Sequence, residues 1–163
     1  MGDKSFRYRD GILHAESVSL VRIAEQCGTP VYAYSLSEIQ SSFKKFADAF
    51  KNQNALIAYS VKANSNQAVI AALAGRGAGA DVVSHGALRR ALLAGIPGNR
   101  IVFSGVGKKG AELEAGLRAG VHQFNVESES QLRLLSDVAV RVGISARVAI
   151  RVCLLYTSPS PRD

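Results

Sequence analysis

One lysine sits where a nucleophile could be made. Lys62 follows the apolar run Ala55–Val61, which reads as a buried strand, and a helical pattern begins a few residues later. Burial at a strand end disfavours the ammonium form, and a neutral amine can attack a carbonyl and hold it as a Schiff base. The plainer alternative is a lysine that snorkels to water or pairs with an acid. Asp81 and Arg151 fall on later apolar stretches, Ala80–Ser84 and Arg147–Val152. Each also has a structural reading, Asp81 as a strand-start acid capping local amides and Arg151 as an interior ion pair. Asn64 and Ser104 are further polar candidates by position. Cys27, Cys153, His14, His85 and His122 are too scattered for a metal site, and two distant cysteines read as free thiols.

A repeating unit must position these groups. Strands are expected at Ala55–Val61, Ala80–Ser84, Ile101–Ser104, Gln123–Val126 and Arg147–Val152, with helices between them at Gln67–Ala74, Ala87–Ala94, Ala111–Ala119 and Glu129–Val142. Nearly every helix closes on a glycine before the next strand (Gly75, Gly95, Gly120, Gly143). Such alternation builds a parallel sheet through right-handed crossovers. A doubly wound sheet and a barrel both fit it. The doubly wound reading lacks a Gly-x-Gly-x-x-Gly turn after the first strand. A barrel carries its chemistry at the strand C-terminal ends, where Lys62 falls. Ahead of the repeat, Asp10-Gly11 signals a hairpin, Val18–Gln26 a helix and Val31–Tyr34 a strand-like link. Ser35 and Glu38 have the spacing of a capping box, opening a helix whose Ile39, Phe43, Phe46 and Phe50 are expected in the core.

Composition narrows the classes further. The chain has 163 residues, 47% hydrophobic and 20% charged, an ordinary globular composition. No apolar run is long enough for a membrane span, and the N-terminus lacks a signal-peptide block, so a cytoplasmic setting is expected. The net charge of +7 is spread over isolated pairs such as Lys44-Lys45, Arg89-Arg90 and Lys108-Lys109, which does not point to nucleic acid. The Gly105-Val106-Gly107-Lys108-Lys109 turn lacks Walker spacing and reads as a mobile loop at the rim of the site.

The octet Tyr59-Ser60-Val61-Lys62-Ala63-Asn64-Ser65-Asn66 resembles the lysine motif of the pyridoxal-phosphate-dependent, alanine-racemase-like barrel decarboxylases. Three further blocks resemble the family's next strands in order: Ala78–Ser84, Arg100–Lys108 and Phe124–Glu129. The resemblance covers Phe6 to Val152, and the Phe124–Glu129 block is most like members acting on diaminopimelate rather than ornithine or arginine. It implies an α/β fold, the first five of eight strands of a pyridoxal-phosphate-binding TIM barrel. Residues 34–152 would form that part, while residues 1–33 would belong with a C-terminal β domain of a longer protein. It further implies pyridoxal 5'-phosphate held by Lys62, with Asp81 tuning the lysine's charge and Arg151 in the polar network beneath the cofactor. A small-molecule amino-acid substrate and a homodimer follow, and so does inactivity of this stretch alone. Two departures bear on this: His85 and Ala87 stand where the family has Gly or Glu and an acid, which leaves a non-catalytic homologue as the rival reading. After Val152 the repeat stops mid-unit, and residues 153–163 are expected to be a non-native tail similar to translated sequencing adapter.

Overall fold

The computed structural model describes residues 5–152. The expected tail at 153–163 lies outside them. The chain opens with an antiparallel sheet of β1 (Phe6–Arg9), β2 (Ile12–Ala15) and β3 (Val18–Ser19). Asp10 and Gly11 both take positive φ, +50° and +76°, and Arg9 pairs with Ile12, which is the primed turn that Asp-Gly favours. The expected helix at Val18 starts later. Val18 pairs with Ala15, and Ser19 is the extended N-cap of α1 (Leu20–Cys27). Val31–Tyr34 lies in no strand, since no described neighbour offers it a ladder.

Helix α2 (Leu36–Ala49) begins with half of the expected capping box. Ser35 Oγ accepts from Glu38 N at 3.1 Å, but Glu38 turns its carboxylate to Ser5 Oγ at 2.9 Å. Glu16, in the turn after β2, caps a different amide of the same helix start: its Oε1 accepts from Ser35 Oγ at 2.7 Å and Ser37 N at 2.9 Å. Those bonds, the Ser37 amide first, hold the Glu16 carboxyl below its ordinary range. The aromatic face is only half core. Ile39 and Phe43 pack against Val69 and Leu73, whereas Phe46 is 55% exposed and Phe50 is exposed beside it. The reason is geometric, because α2 has α3 on one side and nothing described on the other.

The repeat then runs β4 (Ala58–Ser60), α3 (Gln67–Ala74), β5 (Gly79–Val82), α4 (His85–Leu93), β6 (Ile101–Phe103), α5 (Gly110–Arg118), β7 (Gln123–Val126), α6 (Glu129–Val142) and β8 (Val148–Ile150). All five strands are parallel and lie in chain order, β4-β5-β6-β7-β8. A doubly wound sheet would reverse its order at a switch point, so the sequential order selects the barrel path. The outermost strands, β4 and β8, span three residues each, shorter than expected. Strand residues alternate between two faces. Val82, Phe103, Phe124 and Val126 bury against Leu88, Leu113 and Leu135 of the helices. Asp81, Val102, Gln123, Asn125 and Ala149 alternate with them and line the inner face.

Candidate active site

Lys62 stands just past the end of β4. Val61 N donates to Asp81 O at 3.1 Å, extending the ladder one residue beyond the strand and fixing the lysine at the rim. Its side chain is exposed, and among the described residues Nζ has neither a hydrogen bond nor an ion pair. The turn after it is stiffened locally. Tyr59 Oη donates to Asn64 O at 3.0 Å, Asn64 Oδ1 accepts from Asn66 N, and Asn66 Oδ1 caps α3 through Ala68 N. Asn64, expected as a polar contact of the site, thus commits its side chain to its own turn. Burial raises the Tyr59 phenol above its usual value, and the bond to Asn64 partly offsets this.

Asp81 is the third residue of β5 and does not cap strand-start amides. Its Oδ1 accepts from Ser104 Oγ at 2.5 Å, and Ser104 Oγ accepts from Asn125 Nδ2 at 2.9 Å. Gln123 Nε2 donates in turn to Asn125 Oδ1 at 2.9 Å. Three neighbouring strands therefore carry one polar row, placed on the inner face by the alternation that buries Val82, Phe103 and Phe124 opposite. Arg151 lies one residue past β8, its N–H on Val126 O at 2.8 Å. Its Nη1 pairs with Glu127 Oε1 at 3.1 Å, but the Arg151 side chain is 62% exposed, so the pair is not the interior one expected, and no described hydrogen bond joins it to Asp81 or Lys62.

Three functional neighbours escaped the sequence reading. Lys108 is only 6% exposed, and its Nζ donates to Gly105 O at 2.5 Å, Asn125 O at 2.7 Å and Gln131 Oε1 at 3.5 Å. The turn expected to be mobile is instead pinned to β7 and α6. Burial lowers the Lys108 ammonium's pKa, and the charges of Glu127 and Glu112 work against that shift. Glu112 joins two loops, its Oε1 accepting from His85 N at 2.8 Å and its Oε2 from Lys109 N at 3.0 Å. Glu127 is the partner of Arg151. Backbone carbonyls and amides dominate these contacts, and no residue spacing announces them. Ala87 packs against the core in the first turn of α4, and His85 is exposed at that helix start.

The set suits an aldehyde cofactor: one amine without a partner, one carboxylate with only Oδ1 engaged, and a guanidinium already balanced by Glu127. Among the described residues no group of three His, Cys, Asp or Glu could hold a metal ion, and no helix is long and apolar enough to cross a membrane.

The chain is similar to several known proteins. The family model described as pyridoxal-dependent decarboxylase, pyridoxal binding domain, matches residues 36–156. The diaminopimelate decarboxylase of Pseudomonas aeruginosa is 47% identical over 148 residues, which is 91% of this chain and 36% of that protein. The crystal structure of diaminopimelate decarboxylase from M. jannaschii in complex with L-lysine has a TM-score of 0.86 at 36% identity, over 93% of this chain and 36% of that one. A lysine/ornithine decarboxylase from Vibrio vulnificus, solved with putrescine, shares the fold at TM-score 0.70 and 20% identity, over 86% of this chain and 37% of that one. The chain spans about a third of the length of the curated relatives it matches.

Proposed function

The chain belongs to the pyridoxal-dependent decarboxylases, and we propose that it is the N-terminal part of a diaminopimelate decarboxylase, which releases CO2 from meso-diaminopimelate to give L-lysine. The observation that carries the substrate is the contrast in likeness. Between solved structures, identity is 36% to a diaminopimelate decarboxylase and 20% to a decarboxylase of lysine and ornithine.

Lys62 would hold pyridoxal 5'-phosphate through its amine. The cofactor, when bound, supplies an electron sink for the charge left on carbon as CO2 departs. The remaining work falls to the chain's own groups. Lys62 Nζ, unpartnered and exposed, is free to hold or deliver a proton. Asp81 sets a carboxylate on the inner face of the next strand, where it would face the group held on Lys62. Arg151, neutralised by Glu127, would lend donors to the polar network without adding net charge. Residues 1–33 would pack against a C-terminal β domain, a reading supported by apolar side chains left open there, Tyr32 at 88% exposure and Tyr8 nearly as much. On the family resemblance we place the parent in the cytoplasm as a homodimer.

The test is to express the complete parent and measure CO2 from diaminopimelate, ornithine and arginine. Release from diaminopimelate above the other two is expected, with none from the 163-residue chain alone. Preference for ornithine or arginine would replace the substrate, and no release from any of the three would point to a non-catalytic homologue.

A further inference from the structure

The polar row on the inner face has a direction. Gln123 Nε2 donates to Asn125 Oδ1, so the Asn125 amide must present Nδ2 to Ser104. Ser104 Oγ accepts that bond, and its single proton then goes to Asp81 Oδ1. Each link fixes the next, and the last donates to a carboxylate, the strongest acceptor in the row. Both ends of the middle step are held from outside. Lys108 Nζ donates to the carbonyl of Asn125 itself and to that of Gly105, the residue after Ser104. Ser104 N also donates to Val82 O at 2.7 Å, which keeps the serine level with the acid's own strand. Ser104 is buried, so water does not compete freely for its hydroxyl.

We propose that Ser104 is a positioning residue for Asp81: its hydroxyl, oriented by Asn125, holds Oδ1 and leaves Oδ2 as the acceptor offered to the group on Lys62. The proposal rests on the roles given to Lys62 and Asp81 above. Among the described residues Oδ2 accepts no hydrogen bond, so the carboxylate enters the site half engaged and half open. A carboxylate free to turn about its broad, roughly two-fold χ2 would meet a positive nitrogen only part of the time. One pinned through Oδ1 meets it always.

The experiment uses the full-length protein loaded with pyridoxal phosphate, as wild type, Ser104→Ala, Ser104→Thr and Asn125→Ala. Borohydride trapping with peptide mass spectrometry reads where the cofactor is held. The pH midpoint of its visible absorbance reads how well positive charge is supported there. Ser104→Ala is expected to lower that midpoint by about one pH unit. Ser104→Thr keeps the hydroxyl and restores it. Asn125→Ala leaves the hydroxyl unoriented and lowers the midpoint by less. A merely structural serine would alter folding without moving the midpoint. Cofactor on Lys62 with unchanged midpoints in both alanine variants overturns the positioning role and leaves the reading of Lys62 intact. Wild-type cofactor trapped away from Lys62 overturns that reading, and the proposal with it.

Discussion

At the scale of single residues, the chain separates an open lysine from a buried one. Lys62 ends an edge strand, points into open space and has no partner among the described residues. Lys108 follows a glycine turn and is enclosed by two carbonyls and a glutamine. A nucleophile needs the first arrangement, because an amine already donating three bonds has no lone pair to give. Lys62→Arg keeps the positive charge but cannot lose its proton at working pH. Complete loss of borohydride-trapped cofactor at position 62 is expected. Stability should change by no more than about 0.5 kcal/mol, because the site is exposed and makes no contact to lose. Retained labelling of that peptide, seen by mass spectrometry, would move the nucleophile elsewhere.

At the scale of elements, loops rather than strands needed extra fastening. Five short parallel strands fix their own register, but the turns above them carry the site. Glu112, on the first turn of α5, bonds the backbone of its own helix start and that of α4. These bonds, Lys109 first and His85 second, hold its carboxyl below the ordinary 4.5. A folded-state pKa below the unfolded one gives stability that is fully present above about 4.5 and is lost as pH falls through the folded value. Glu112→Gln should therefore cost about 1 kcal/mol at pH 7. The cost should shrink in acid, as pH falls through the folded value and wild type loses the charge too. Urea unfolding of both proteins at neutral pH and in acid measures this, and a difference equal at both would assign the effect to packing. Cations sit at the opposite end of three helices, Arg90 in the last turn of α4, Arg118 in that of α5 and Arg141 in that of α6, where helix C-termini carry partial negative charge.

At the scale of the whole molecule, the sheet is a barrel path of five strands, and among the described residues both its edges, β4 and β8, are open. Ile150 is 75% exposed on the side of β8 where β5, β6 and β7 are each covered by a helix, and Val148 and Val152 are exposed beside it. An apolar, unpaired edge is a template for association. The 163-residue chain should therefore self-associate at micromolar concentration, and Ile150→Lys should shift it towards monomer by placing charge on that edge. Sedimentation velocity over a concentration series reads both. A wild-type chain that stays monomeric throughout would mean the edge is satisfied in some other way.

The sequence by itself determined what depends on near neighbours. Helices α3 and α6 and strand β7 begin and end where glycine, serine caps and apolar periodicity put them. The Asp10-Gly11 turn followed from a dipeptide that tolerates two positive φ values, and Lys62 was legible because a strand and a helix bracket it. The motif blocks carried the family for the same reason, being short and contiguous. Tertiary structure decided whatever depends on distant partners. Phe46 and Phe50 share a helical face with Phe43 yet remain exposed, because periodicity says which side chains align and not whether anything covers them. Glu16 caps α2 from the turn after β2, Ser104 donates to Asp81 from the neighbouring strand end, and Lys108 is buried among carbonyls. Backbone groups are the same at every position and leave no mark in a sequence, so only folding shows which side chain they capture.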